Sequence, residues 1–149
     1  MKKIFLRAAA LLLALVLAGC GTASPAETVP TEADKTDDNY RVFYEIFVGS
    51  FADSDGDGTG DLNGILQHLD YLNDGNLLSD TSLGVQGLWL TPIFASPSYH
   101  KYDATDYYRI DSDFGTEDDL RALLDACHAR NVKVILDLVI NHTARNHEW

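Results

Sequence analysis

Basic side chains are scarce in this chain. Eleven lysines and arginines stand against 23 aspartates and glutamates, and the formal net charge at pH 7 is -12. A surface of that sign repels phosphate backbones and anionic headgroups, which excludes nucleic acid and an electrostatically held membrane surface as partners. Cysteine occurs only twice, which limits the chain to a single disulfide at most. Long apolar runs are missing too: the run from Ala8 to Ala18 is too short to span a bilayer. No internal repeat is visible, which excludes a solenoid or tandem array. What remains is a chain of 149 residues, the size of one ordinary domain, with apolar and aromatic residues ample for a core.

The basic start (Lys2, Lys3, Arg7), the short apolar run and the tetrapeptide "LAGC" at 17–20 resemble a bacterial lipoprotein signal. In such a signal the cysteine, here Cys20, becomes the lipidated first residue of the mature protein. An ordinary secretory signal or a short anchor is the competing reading. A lipidated Cys20 could not pair with Cys127, which closes an apolar helical stripe and reads as a small buried hydrophobe. Residues 1–20 are thus expected to be a signal peptide. Residues 21–39 are small, polar and acidic with two prolines, and read as a flexible tether. A domain is expected from residue 40 to 149.

That domain alternates strand and helix. "RVFYEIFVGSF" (41–51) reads as a strand. Leu62, Ile65, Leu66, Leu69 and Leu72 fall at helical spacing and predict a helix over 61–73 capped by Asp61. "VQGLWLTPI" (85–93) predicts a buried strand. Leu120, Leu123, Leu124 and Cys127 predict a second helix with Thr116 as its cap, and "VKVILDLVI" (132–140) a third strand. The fold class is α/β with a parallel sheet. Three strands with two helices leave both sheet edges unpaired. The expectation is therefore the N-terminal piece of a longer protein, with a small complete α/β domain as the alternative.

"DSDGDGTGD" (53–61) places carboxylates at alternate positions with glycines between them. Asp53, Asp55, Asp57, Thr59 and Asp61 occupy the first, third, fifth, seventh and ninth positions of a calcium loop. Thr59 would contribute its backbone carbonyl, and Gly58 allows the sharp turn. Hard oxygens in such a loop suit Ca2+ in a structural role. The twelfth position is Gly64 rather than a bidentate glutamate, and a strand precedes the loop, so this is not an EF-hand. A solvated acidic turn without metal is the competing reading.

Three segments, "YEIFVGSFADSDGDGTGDLNGI" (44–65), "GVQGLWLTPIFASPSYHKYDATDYYRID" (84–111) and "FGTEDDLRALLDACHARNVKVILDLVINHT" (114–143), together resemble the α-amylase family, glycoside hydrolase family 13. The resemblance implies a partial (β/α)8 TIM barrel, about the first three strands and two helices, with chemistry at the C-terminal strand ends. It implies retaining cleavage of α-glucans by an aspartate nucleophile and a glutamic acid, helped by a second aspartate. Those three follow strands beyond this chain, so no catalytic residue is expected here. Asp137 matches an aspartate that organises the site. Tyr102 matches a ring that stacks on the sugar before the cleaved bond. His100 matches its neighbour, and His142 a histidine that binds the same sugar's primary hydroxyl. Asn141 matches a ligand of a second calcium. Lys101 replaces the glycine common between the histidine and tyrosine, and is expected at the rim of the subsite.

The resemblance thus implies an α-amylase-like hydrolase, extracytoplasmic and held to a bacterial membrane only through its lipid anchor. This piece alone is expected to be inactive. The alternative is a non-catalytic barrel relative serving as a sugar-binding or transporter-associated module.

Overall fold

The computed structural model describes residues 41–149. The expected signal peptide over 1–20 with Cys20, and the expected tether over 21–39, lie outside the described residues. β1 (Phe43–Ile46), β2 (Gly87–Leu90) and β5 (Lys133–Leu136) form a parallel sheet in the order β1-β2-β5. A separate antiparallel pair joins β3 (Phe94–Ala95) to β4 (Asp106–Ile110). The described residues form an open β/α portion, with parallel strands and no closed barrel.

Register sorts the side chains into rows. Ile46, Leu90 and Leu136 are aligned, as are Tyr44, Leu88 and Val134. Because side chains alternate across a strand, both rows face the helices. Leu88 and Leu90 are fully buried there, against Leu62, Ile65, Leu69, Leu72 and Leu123. Burying each such side chain contributes roughly 1.5–3 kcal/mol. The opposite face carries Phe43, Trp89 and Ile135, which are 39%, 41% and 45% exposed. On that face Gly87 is bare for a reason: the Phe43 ring occupies the space a Cβ would need.

Helix α4 (Glu117–Ala129) follows the periodicity read from the sequence, with Leu123 and Cys127 buried. Thr116 caps it. The Asp119 N–H donates to the Thr116 hydroxyl, and the Thr116 N–H donates to the Asp119 carboxylate at 2.8 Å. A cap of this kind contributes about 1 kcal/mol. The Thr116 bonds also hold the Asp119 carboxyl below its ordinary range. Cys127 is a free thiol, and burial pushes it up to about 11, so it acts as a hydrophobe rather than a nucleophile.

Four expected elements prove shorter or broken; the strand expected over 85–93 is confined to Gly87–Leu90. The strand expected over 41–51 ends at Ile46. The chain then makes the helical turn α1 (Val48–Phe51), which drops Val48 into the core and starts the acidic loop. The helix expected over 61–73 breaks at His68 into α2 (Leu62–Gln67) and α3 (Leu69–Leu72). There the His68 ring nitrogen Nδ1 reaches back 2.9 Å to the Gly64 carbonyl, competing with the helical ladder. The third strand stops at Leu136 rather than continuing to residue 140. From Asp137 onward the chain leaves the sheet toward the hairpin.

Candidate functional site

All three parallel strands end at the same edge of the sheet, so the segments after them converge. Beyond β2 the chain builds the hairpin, whose connecting loop spans 96–105. Beyond β5, the Asp137 N–H donates to the Leu90 carbonyl at 2.9 Å, which fixes Asp137 beside the end of β2. The two excursions then lace together. The Ala144 N–H donates to the Ala104 carbonyl at 2.9 Å. The Tyr107 hydroxyl lies 2.6 Å from the Val139 carbonyl and 3.0 Å from that of His142. Tyr107 went unnoticed in the sequence. The aromatic pair at 107–108 was its one signal.

This lacing brings His100, Tyr102 and His142 into one cluster with Asp137. The Tyr102 hydroxyl donates to Asp137 Oδ2 at 2.6 Å. The Tyr102 carbonyl lies 3.1 Å from His142 Nε2; a carbonyl can only accept, so Nε2 carries the hydrogen. The Tyr102 N–H donates to His100 Nδ1 at 3.1 Å, and the two rings lie 6.0 Å apart. Tyr102 remains 38% exposed. Its bond to Asp137, then burial and the negative charges of Asp137 and Glu45, push the phenol up to about 12. A flat ring, an imidazole and a carboxylate side by side can cover the C–H face of a sugar and bond its hydroxyls. Asn141 is exposed and lines a hollow with Tyr107, His142 and Trp149.

Lys101 does not stand at the rim. It is 5% exposed and turned inward, with its ammonium 3.0 Å from Asp111 and 3.1 Å from Asp113. The two carboxylates at hydrogen-bonding distance offset the cost of taking the ammonium out of water.

The acidic loop is folded around Asp53. Its carboxylate accepts from the N–H groups of Gly56 at 2.6 Å, Gly58 at 2.8 Å and Asp55 at 3.2 Å. The bonds from Gly56 and Gly58 lower its pKa. Asp61 is buried, caps α2 through the Gly64 N–H and ties back to the Ser54 N–H at 2.8 Å. Asp53, Asp55 and Asp61 each offer an oxygen within 4.8 Å of the others, and among the described residues no other acidic, histidine or cysteine group meets that test. Asp57 stands outside this trio. Its carboxylate accepts from the Thr59 N–H at 2.7 Å. The donors fit a hard divalent cation: three converging carboxylates repel one another, and their loop is already shaped by backbone bonds. At position twelve, the Ala52 carbonyl lies where a Gly64 Cβ would stand, so no side chain could reach in from there.

The open parallel sheet, with helices packed on one face and the loops gathered at its C-terminal edge, has the character of part of a β/α barrel. Residues 45–149 match the alpha amylase catalytic-domain family, and the chain belongs to that family. It is 52% identical over 108 residues to Alpha-amylase 3 of Dictyoglomus thermophilum, covering 72% of this chain and 20% of the relative. It is 45% identical over 109 residues to an oligo-1,6-glucosidase of Heyndrickxia coagulans, covering 72% and 18%. Among solved structures, the alpha-amylase from H. orenii superposes with a TM-score of 0.72 at 60% identity, covering 72% of this chain and 22% of that one. The chain thus spans about a fifth of the length of the curated relatives it matches.

The Tyr102 bond yields a direct check. A donated hydrogen bond stabilises the neutral phenol. Its contribution is complete below the ordinary value of 10.0 and is lost as pH rises through about 12. Ultraviolet titration of wild type against Tyr102→Phe isolates this one tyrosine. Its ionisation is expected near 12, falling toward 10 in Asp137→Ala. Ionisation at 10 in the wild type would contradict the geometry.

Proposed function

We propose that this chain is part of an α-amylase-like glycoside hydrolase acting on α-glucans with retention, and that its cluster at Tyr102 forms one wall of the glucose site. The observation that carries this reading is the Tyr102–Asp137–His142 contact, made across two strand ends at the edge where barrel enzymes bind substrate. The Tyr102 ring covers the sugar's C–H face. His142, with Nε2–H committed to the Tyr102 carbonyl, offers Nδ1 to a sugar hydroxyl. Asp137 holds Tyr102 in place and is no nucleophile. Retaining cleavage needs a nucleophile and an acid about 5–5.5 Å apart, and these belong to later strands of a complete barrel. With neither group assigned among the described residues, the 149 residues alone are proposed to be inactive. The half-exposed apolar side chains Phe43, Trp89 and Ile135 on the face away from the helices support such a completion, because barrel closure would bury that face. The relatives' names differ, an alpha-amylase and an oligo-1,6-glucosidase among them, so the proposal is kept to α-glucans as a class.

Asp53, Asp55 and Asp61 would hold Ca2+, with Asp57 and the Thr59 carbonyl in the same loop and Asn141 at a second, separate calcium. A bound Ca2+ supplies positive charge that offsets carboxylate repulsion. The chain's own part is to brace the passage from β1 to α2. Cys20, in "LAGC", would carry lipid and tether the protein outside the cytoplasm.

Three outcomes test these readings. In the complete protein, Tyr102→Ala should weaken maltooligosaccharide binding by roughly 1–2 kcal/mol, the scale of losing an aromatic contact. Calorimetry showing unchanged affinity would remove the stacking role. Calcium should raise Tm, and Asp55→Ala should remove much of that rise. The effect should fade in acid as the Asp53 carboxyl, held below its ordinary range by the Gly56 and Gly58 N–H groups, takes up its proton; identical melts with and without chelator would discard the metal. Radiolabelled fatty acid should label the wild type and not Cys20→Ser, and an unlabelled wild type would discard the anchor.

A further inference from the structure

Lys101 combines two unfavourable features. Its backbone φ is 61°, in the left-handed region that a Cβ disfavours. Its side chain is only 7% exposed, although an ammonium group is costly to desolvate. Such combinations persist where the surroundings over-determine them. Here they do. Nζ lies 3.0 Å from Asp111 and 3.1 Å from Asp113, and 5.3 Å from the centre of the Phe114 ring. Asp111 is itself buried, its side chain 8% exposed.

The same Asp111 oxygen that meets Lys101 also accepts from the Ser96 N–H at 2.9 Å, and its other oxygen accepts from the Asp113 N–H. One carboxylate thus grips the first and last residues of the segment 96–101. The Lys101 N–H returns to the Ser98 carbonyl at 3.3 Å, closing the loop on itself. His100 and Tyr102 flank Lys101 directly. Once the backbone at Lys101 is pinned, the directions of both neighbours follow.

We propose that Lys101 is a positioning residue: its buried ammonium, clamped by Asp111 and Asp113, sets the direction in which His100 and Tyr102 face the sugar. Lys101 touches no substrate; it acts through its two neighbours. The sugar part of this inference rests on the glucan reading above. The bond between Tyr102 and Asp137 supplies a readout that does not.

The test uses Lys101→Met and Lys101→Gly in the complete protein, with the core variant Leu123→Ala as a control of lowered stability. Glycine accepts a φ of 61° without strain, so Lys101→Gly serves if Lys101→Met does not fold. Loosening a binding loop removes ground-state and transition-state contacts alike. KM for a maltooligosaccharide should therefore rise about tenfold with kcat within about twofold. Leu123→Ala should lower Tm and leave KM unchanged. The Tyr102 phenol should fall from about 12 toward 10.0 in the Lys101 variants and stay in place in Leu123→Ala. An unchanged Tyr102 titration in the Lys101 variants, or an equal change in the core control, overturns the positioning role. If the wild type takes no maltooligosaccharide, the glucan reading falls, and the Tyr102 titration still decides the role of Lys101.

Discussion

Rows of paired residues tie β1, β2 and β5 together in parallel, and the three strands end at Ile46, Leu90 and Leu136 in one row. Everything of functional interest hangs on that alignment. A shift of one residue would turn Leu88 and Leu90 outward and expose the core that the helices cover. It would also separate Asp137, held to the Leu90 carbonyl, from the hairpin loop it meets. Packing energy and site geometry are thus set by one register.

Around that edge the chain gathers charge in two ways. Lys101 and its carboxylates form a compensated group inside the hairpin loop, every partner supplied by the protein. The acidic loop gathers three carboxylates, with no ion pair to them among the described residues, and relies on backbone N–H groups for shape. The first arrangement makes a fixed strut. The second suits a loop completed by an ion. Between them runs the segment 111–115, whose Phe114 carbonyl accepts from the Leu62 N–H at 3.0 Å. The hairpin loop and the acidic loop therefore share a common wall.

Much of this was readable beforehand where a pattern had one physical cause. The stripe through Leu123 and Cys127, with Thr116 ahead of it, gave α4 and its cap. The apolar runs gave the three parallel strands, and the matched motifs gave His100, Tyr102 and His142 as neighbours. What escaped depended on contacts distant in sequence. "RVFYEIFVGSF" reads as a strand throughout, yet Val48 is needed in the core and the chain turns after Ile46. The hairpin pairs only two residues of β3, too few for a periodicity. Lys101 looks like a surface residue until Asp111 and Asp113, ten and more positions away, are seen to enclose it. Tyr107 shows its purpose only through carbonyls more than thirty residues on.

The most direct test of the account is a crystal structure of the complete protein with a maltooligosaccharide bound. The account predicts one glucose ring lying flat on Tyr102, with a hydroxyl at hydrogen-bonding distance from His142 and the phenol still joined to Asp137. A sugar bound away from this edge, or Tyr102 and His142 on opposite sides of the sheet, would contradict it.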